Sequence, residues 1–191
     1  VFKTAEGAQT VLDGVSRDMR EYRSNHDQFG IKALDLAQDL MGEDIAPQRH
    51  HWFGFDYRLD NRNATYRRPN YAWSLLYRSI YNVNGVINNI DDAAADSENY
   101  KNNLKAQALT LRAFSYFRLI QMFQFTYKGH ENDPGVPIYT EGTIEGKGRG
   151  TVTEVYDRIV TDLDDAIALF ESSALPRRHI SDATLSVARG I

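Results

Sequence analysis

Between Trp73 and Ile90, apolar residues recur at steps of three and four: Trp73, Leu76, Ile80, Val83, Ile87 and Ile90. That is one face of a helix of about 20 residues, roughly 30 Å long. Asn70 is its expected cap, and Asp91-Asp92 with the alanines after them end it. The run KAQALTLRAFSYFRLIQMFQF, Lys105 to Phe125, follows and is the most apolar stretch of the chain. Its helix is expected to open at Asp96 or Ser97. A link of roughly four to six residues is short, so the two helices should pack antiparallel. A turn centred near residues 94–95 sets Trp73 level with Tyr116, Leu76 with Ala113 and Ile80 with Leu109. Lys105, Gln107, Arg112, Arg118, Gln121 and Gln124 interrupt the run, so it does not span a bilayer. It reads as an inner helix covered on several sides.

The remaining segments follow the same logic. Thr4 to Tyr22 reads as a helix, with Ala8, Val11, Leu12, Val15 and Met19 at helical spacing. Ile31 to Met41 reads as a second, stopped by Gly42. Thr151-Val152-Thr153-Glu154 is a capping box that opens a helix running to Leu175-Pro176. Ser181 is the expected cap of a last helix. Two long connections, Pro47–Pro69 and Tyr127–Gly150, look irregular. No segment alternates strictly enough for a strand. The expected fold is all-α, stacked tetratricopeptide-like helical hairpins with long irregular loops, although no strict repeat period is visible.

The 191 residues suit a single helical domain, or a piece of a longer protein. A net charge of −4 argues against nucleic acid, and Arg67-Arg68 and Arg177-Arg178 read as solvated pairs. The absence of cysteine removes disulfides, thiolate metal sites and cysteine nucleophiles. His50-His51 has no third ligand at regular spacing, so no metal is expected. Asp56 with Asp60, and Asp162 with Asp165, read as solvated aspartates rather than a hydrolytic pair. The glycines of Glu145–Gly150 are followed by no Lys-Ser/Thr step and make no phosphate loop. No cofactor and no enzymatic activity are expected.

Several stretches together carry a resemblance. Trp73-x2-Leu76-Tyr77-x2-Ile80-x3-Asn84-x2-Ile87-x2-Ile90 is followed by Ala106-Gln107-Ala108-x2-Leu111-Arg112-Ala113-x2-Tyr116-Phe117-x-Leu119. Gly135-Val136-Pro137-Ile138 comes next, and then Arg149-x-Thr151-Val152-x-Glu154-Val155-Tyr156-x2-Ile159-x2-Asp162-Leu163-x2-Ala166. In this order they resemble the SusD/RagB family of outer-membrane nutrient-binding lipoproteins. Gln107 stands where that family usually has Glu, and Phe123-Gln124-Phe125 where many members have a Phe-Gly step. Members are usually much longer, so the chain resembles the N-terminal portion. The resemblance implies a non-enzymatic, glycan-binding protein at the outer surface of the outer membrane. It implies a lipid anchor on an N-terminal cysteine that this chain does not contain. It also implies a TonB-dependent (SusC-like) transporter as the partner that receives the oligosaccharide. A tetratricopeptide-like scaffold that binds only protein is the alternative.

Two places invite a functional reading. Arg112 has no acidic neighbour three or four residues away, so it is expected to bond carbonyls or a carboxylate on another helix. The loop after Pro47 mixes aromatics with Arg, Asn and Asp, the composition that suits the apolar faces and hydroxyl rims of a sugar. Trp52, Phe55, Tyr57, Arg58, Asp60 and Asn63 are the candidate ligand-binding residues.

Overall fold

The structure, a computed structural model, describes residues 1–42, 45–49, 51–60 and 62–191. Among them are seven helices: α1 (Ala5–Asp18), α2 (Ile31–Met41), α3 (Gly54–Tyr57), α4 (Arg67–Ile87), α5 (Glu98–Phe123), α6 (Val152–Ser173) and α7 (Leu185–Gly190). The described residues contain isolated β-bridges and no strand, so the all-α expectation holds. None of these helices is long and apolar enough to cross a membrane. The chain forms two compact units, residues 1–15 with 76–191, and residues 16–75.

In the first unit α5 packs antiparallel on α6. Arg112 meets Asp162, and Ala106, nearly two turns earlier, shares a core cluster with Phe170, two turns later. Ala106 through Thr110 are all buried. Five successive buried positions cover every side of a helix, so α5 is an inner helix, as expected. Ser97 caps it by accepting the Tyr100 N–H, and Thr151 and Glu154 close the capping box of α6.

The register of α4 against α5 differs from the expectation. Ser115 Oγ lies 3.1 Å from Ser79 Oγ, whereas the expected pairing put Leu109 level with Ile80. The connection is longer than four to six residues, since α4 ends at Ile87 and α5 begins at Glu98. It runs beside the first turns of α5, where Lys101 Nζ donates to the Asp91 carbonyl at 2.9 Å and Lys105 Nζ meets the Asp91 carboxylate at 2.5 Å. Two caps also move. Helix α4 starts at Arg67, before Asn70, because Pro69 fits a first turn whose N–H groups have no partner inside the helix. Thr184, not Ser181, caps α7, since Ser181 falls in a turn that Asp182 closes on the His179 N–H at 2.8 Å.

At the centre of this unit lies a polar network. Arg112 grips Asp162 of α6 with Nε and Nη2, both at 2.7 Å, and the two side chains are 5% and 0% exposed. Asp162 therefore sits on the buried side of α6; it is not the solvated aspartate expected from its sequence. Arg158 adds a contact to Asp162 at 2.7 Å. Arg112 Nη1 donates to Asn84 Oδ1 at 2.8 Å, and Asn84 Nδ2 donates to the Tyr139 carbonyl at 2.9 Å. Tyr116 Oη donates to the same carbonyl at 2.9 Å and accepts the Tyr139 N–H at 2.7 Å. Tyr77 Oη donates to the Pro137 carbonyl at 2.8 Å. The irregular segment Val136–Glu141 is thus fastened by side chains from α4 and α5, which satisfy backbone groups that a strand partner would otherwise take.

In the second unit, Gly30 makes a tight junction ahead of α2. Its φ is 74°, and a Cβ there would stand 1.9 Å from the Met19 carbonyl oxygen. That carbonyl accepts the Ile31 N–H at 2.8 Å, and the Gly30 N–H donates to Tyr71 Oη at 2.7 Å. Only glycine tolerates both the conformation and the approach.

Two outcomes follow for stability. Asp162→Ala strands Arg112 in the core, and Arg112→Ala strands Asp162. Each should cost about 3–5 kcal/mol, with the double variant costing less than the sum. Urea unfolding followed by circular dichroism measures this. Burial pushes the Tyr116 hydroxyl up to about 12, against an ordinary tyrosine value near 10. The raised value makes its contribution complete below about pH 10 and lost as pH rises toward 12. The Tm should fall on that alkaline limb, and Tyr116→Phe should make the fall shallower.

Candidate functional site

The loop between α2 and α4 folds around one helical turn. Helix α3 ends with Leu59 in the left-handed conformation, φ 57°. The Asp60 N–H then reaches back to the Phe55 carbonyl at 2.9 Å, and the Leu59 N–H to the Asp56 carbonyl at 3.0 Å. This is the double-bond stop usually given to glycine. It turns Asp60 back beside Arg58, whose Nε donates to Asp60 Oδ2 at 2.9 Å.

Each of three arginines in this unit pairs with an aspartate and lies over an aromatic ring. Arg58 holds Asp60 and stands 5.3 Å from the Phe55 ring centre. Arg67 donates through Nε to Asp27 Oδ2 at 3.0 Å and stands 4.8 Å from the Trp52 ring. Arg68 grips Asp56 through Nε at 3.2 Å and Nη2 at 3.1 Å, donates to the Asp27 carbonyl at 2.8 Å, and stands 4.9 Å from the Phe53 ring. A guanidinium over a ring face contributes about 0.5–1 kcal/mol at an exposed site and more when desolvated. Asp27, Asp56 and Arg68 are 2%, 3% and 9% exposed, so this is interior structure beneath a loop surface. The sequence reading placed Arg67-Arg68 and Asp56 in solvent; Arg67 does keep part of its side chain there, but Arg68 and Asp56 do not. Pairing is the reason: a carboxylate and a guanidinium that satisfy each other can be buried together.

A cleft of about 120 Å³ opens among Trp52, Phe55, Asp60, Tyr66, Arg67 and Arg68, with Asp27 and Asp56 beneath. Trp52, Phe55 and Tyr66 are 43%, 44% and 45% exposed, so wide apolar ring surface faces solvent. Arg67 covers one side of Trp52, and His26 tilts beside it at 6.0 Å between ring centres. The arrangement offers flat apolar faces next to carboxylates and guanidinium N–H groups, which suits a polyhydroxylated ligand.

Of the six candidate residues, Trp52, Phe55 and Asp60 line this cleft. Arg58 holds its rim through Asp60 and Phe55. Tyr57 and Asn63 are exposed but stand outside the lining. Sequence reasoning missed Asp27, Asp56, Tyr66, Arg67 and Arg68. Asp27 and Arg67 are forty residues apart, and no local spacing marks them as partners. Among the described residues no group of three His, Cys, Asp or Glu is placed to hold a metal; His50 lies outside them.

Comparison with known proteins supplies the context. Residues 8–188 match the SusD-like family model described as starch-binding, associating with the outer membrane. A SusD-like protein of Formosa agariphila is 24% identical over 153 residues, which cover 74% of this chain and 27% of that protein. A SusD-like carbohydrate-binding protein of Bacteroides vulgatus has a solved structure that superposes with a TM-score of 0.86 at 29% identity, covering 98% of this chain and 40% of that one. A SusD superfamily protein of Bacteroides fragilis shares the fold, with a TM-score of 0.79 at 18% identity over 98% of this chain and 44% of its own. The chain thus spans between about a quarter and under a half of these relatives.

The geometry separates structural from exposed residues. Asp56→Ala leaves Arg68 buried without its main partner and should cost about 3–5 kcal/mol. Trp52→Ala removes a partly exposed ring and its stack on Arg67, and should cost no more than about 1–2 kcal/mol. Urea unfolding of the two variants beside the parent chain makes the comparison.

Proposed function

We propose that this chain, which belongs to the SusD-like family of starch-binding proteins that associate with the outer membrane, binds carbohydrate at the cell surface through the cleft around Trp52. It is the N-terminal portion of a longer lipid-anchored protein. The bound oligosaccharide passes to a TonB-dependent, SusC-like transporter without being cleaved. The family match supports the carbohydrate ligand and the outer-membrane setting. The transporter and the lipid anchor rest on the family resemblance alone.

One observation carries the assignment of the site: the exposed rings of Trp52, Phe55 and Tyr66 are held beside hydrogen-bonding Asp60 and Arg67. Sugar C–H faces stack on such rings, and sugar hydroxyls meet such rims. A protein-only scaffold needs neither. The lining includes carboxylates, but Asp56 and Asp60 are each bonded to an arginine, an arrangement that favours holding over proton transfer. Affinity electrophoresis through gels containing amylopectin, with a panel of other polysaccharides, tests the reading. The chain should be retarded by at least one of them. Trp52→Ala should lose most of that retardation, about tenfold or more in affinity, while its Tm stays close to the parent's. Equal retardation of the two proteins would move the site elsewhere.

A further inference from the structure

We infer that the cleft selects uncharged saccharides and turns away those bearing carboxylate or sulfate. This rests on the carbohydrate-binding reading of the cleft and goes one step past it. By composition the loop looks suited to acidic sugars, since Arg49, Arg58, Arg62, Arg67 and Arg68 fall within twenty residues of one another. The structure removes that suggestion. The three arginines at the cleft and its rim are matched by three aspartates: Arg58 by Asp60, Arg67 by Asp27, and Arg68 by Asp56 with Asp27 at 3.6 Å. Each also lies over a ring, so one broad face of its guanidinium is covered. Arg62 stands outside the lining and donates to the Asp56 main-chain carbonyl at 3.4 Å.

A cleft whose charges close on themselves offers an anion no net attraction. Asp27, Asp56 and Asp60 stand as close to the cleft as their arginines, so a carboxylate or sulfate that entered would give up hydration and meet no surplus positive charge in return. A neutral saccharide meets the same ring faces and hydrogen-bonding groups without bringing an ionised group that must be stripped of water.

Isothermal titration tests the inference. Amylopectin, galactomannan and xyloglucan serve as neutral ligands, and polygalacturonate, alginate and carrageenan as acidic ones, at about 0.02 M and about 0.5 M NaCl. Binding should be confined to neutral polymers, and its Kd should change less than about twofold between the two salt concentrations. Asp60→Asn leaves Arg58 without its partner, on a side chain exposed enough for the fold to tolerate the change. That variant should gain binding to at least one acidic polymer, weakened about tenfold or more by the higher salt. Parent-chain binding to an acidic polymer that collapses in high salt would overturn the selection while leaving the carbohydrate reading intact. No binding to any polymer would overturn both. An Asp60→Asn variant that still ignores acidic polymers would overturn the matched arginines as the cause.

Discussion

Asp162 has no exposure to solvent and carries a charge, so the first unit must answer it from within. A carboxylate taken out of water loses several kcal/mol of hydration, and only well-placed charged donors restore it. Arg112 from α5 and Arg158 from its own helix provide them. Arg112 has a donor left over and hands it to Asn84 on α4. Asn84 in turn spends its amide on the Tyr139 carbonyl, where Tyr116 also binds. One buried charge thus draws three helices and an irregular segment into a single satisfied network. The apolar stripes could slide past one another by a turn at modest loss, since leucine and isoleucine accept many neighbours. The network cannot slide, because a turn's displacement would leave Arg112 and Asp162 apart in the core.

The second unit solves a similar problem with less regular structure. Residues 45–66 contain only one helical turn among those described, so few backbone hydrogen bonds are available to hold the aromatic side chains. Arg68 does that work from the first turn of α4: it binds the Asp56 carboxylate, the Asp27 carbonyl and the face of Phe53. Its guanidinium has flat faces and edge donors, which lets it satisfy ring and carboxylate at once; a lysine has neither feature in fixed geometry. The result is a loop whose lower side is as tightly specified as a core.

How much of this was legible in the sequence depended on whether the signal was local. The stripe of α4, the opening of α5 at Asp96 or Ser97 and the Thr151–Glu154 box are encoded within a few residues and were legible there; the structure puts the α5 cap at Ser97. Arg112 was legible as a residue needing a distant partner, because its own helix offered none. Its partner was not legible: Asp162 lies fifty residues away, and an aspartate beside Asp164 and Asp165 looks solvated. Asp56 and Arg68 failed for the same reason, since charge in a polar loop reads as surface until its counter-charge is known. The α4–α5 register failed on a different ground. Counting from the turn assumes that the connection reverses at once, and here it runs alongside α5 first. Of the cleft, Trp52, Phe55 and Asp60 were visible by composition, while its buried floor was not.

Stability and exposed surface are divided between different residues of the cleft. The solved relatives superpose with TM-scores of 0.86 and 0.79 at only 29% and 18% identity, so most positions are free to vary without loss of the fold. In this chain, buried pairs such as Asp56–Arg68 set where the rings stand, and the outward faces of Trp52, Phe55 and Tyr66 set what they touch. A substitution among the pairs breaks charges inside the protein and costs stability before it alters any preference. A substitution among the exposed faces costs little stability and, under the carbohydrate reading proposed above, changes the surface a ligand would meet. On the proposed reading, specificity is therefore free to drift at the rim of the cleft while its floor stays fixed.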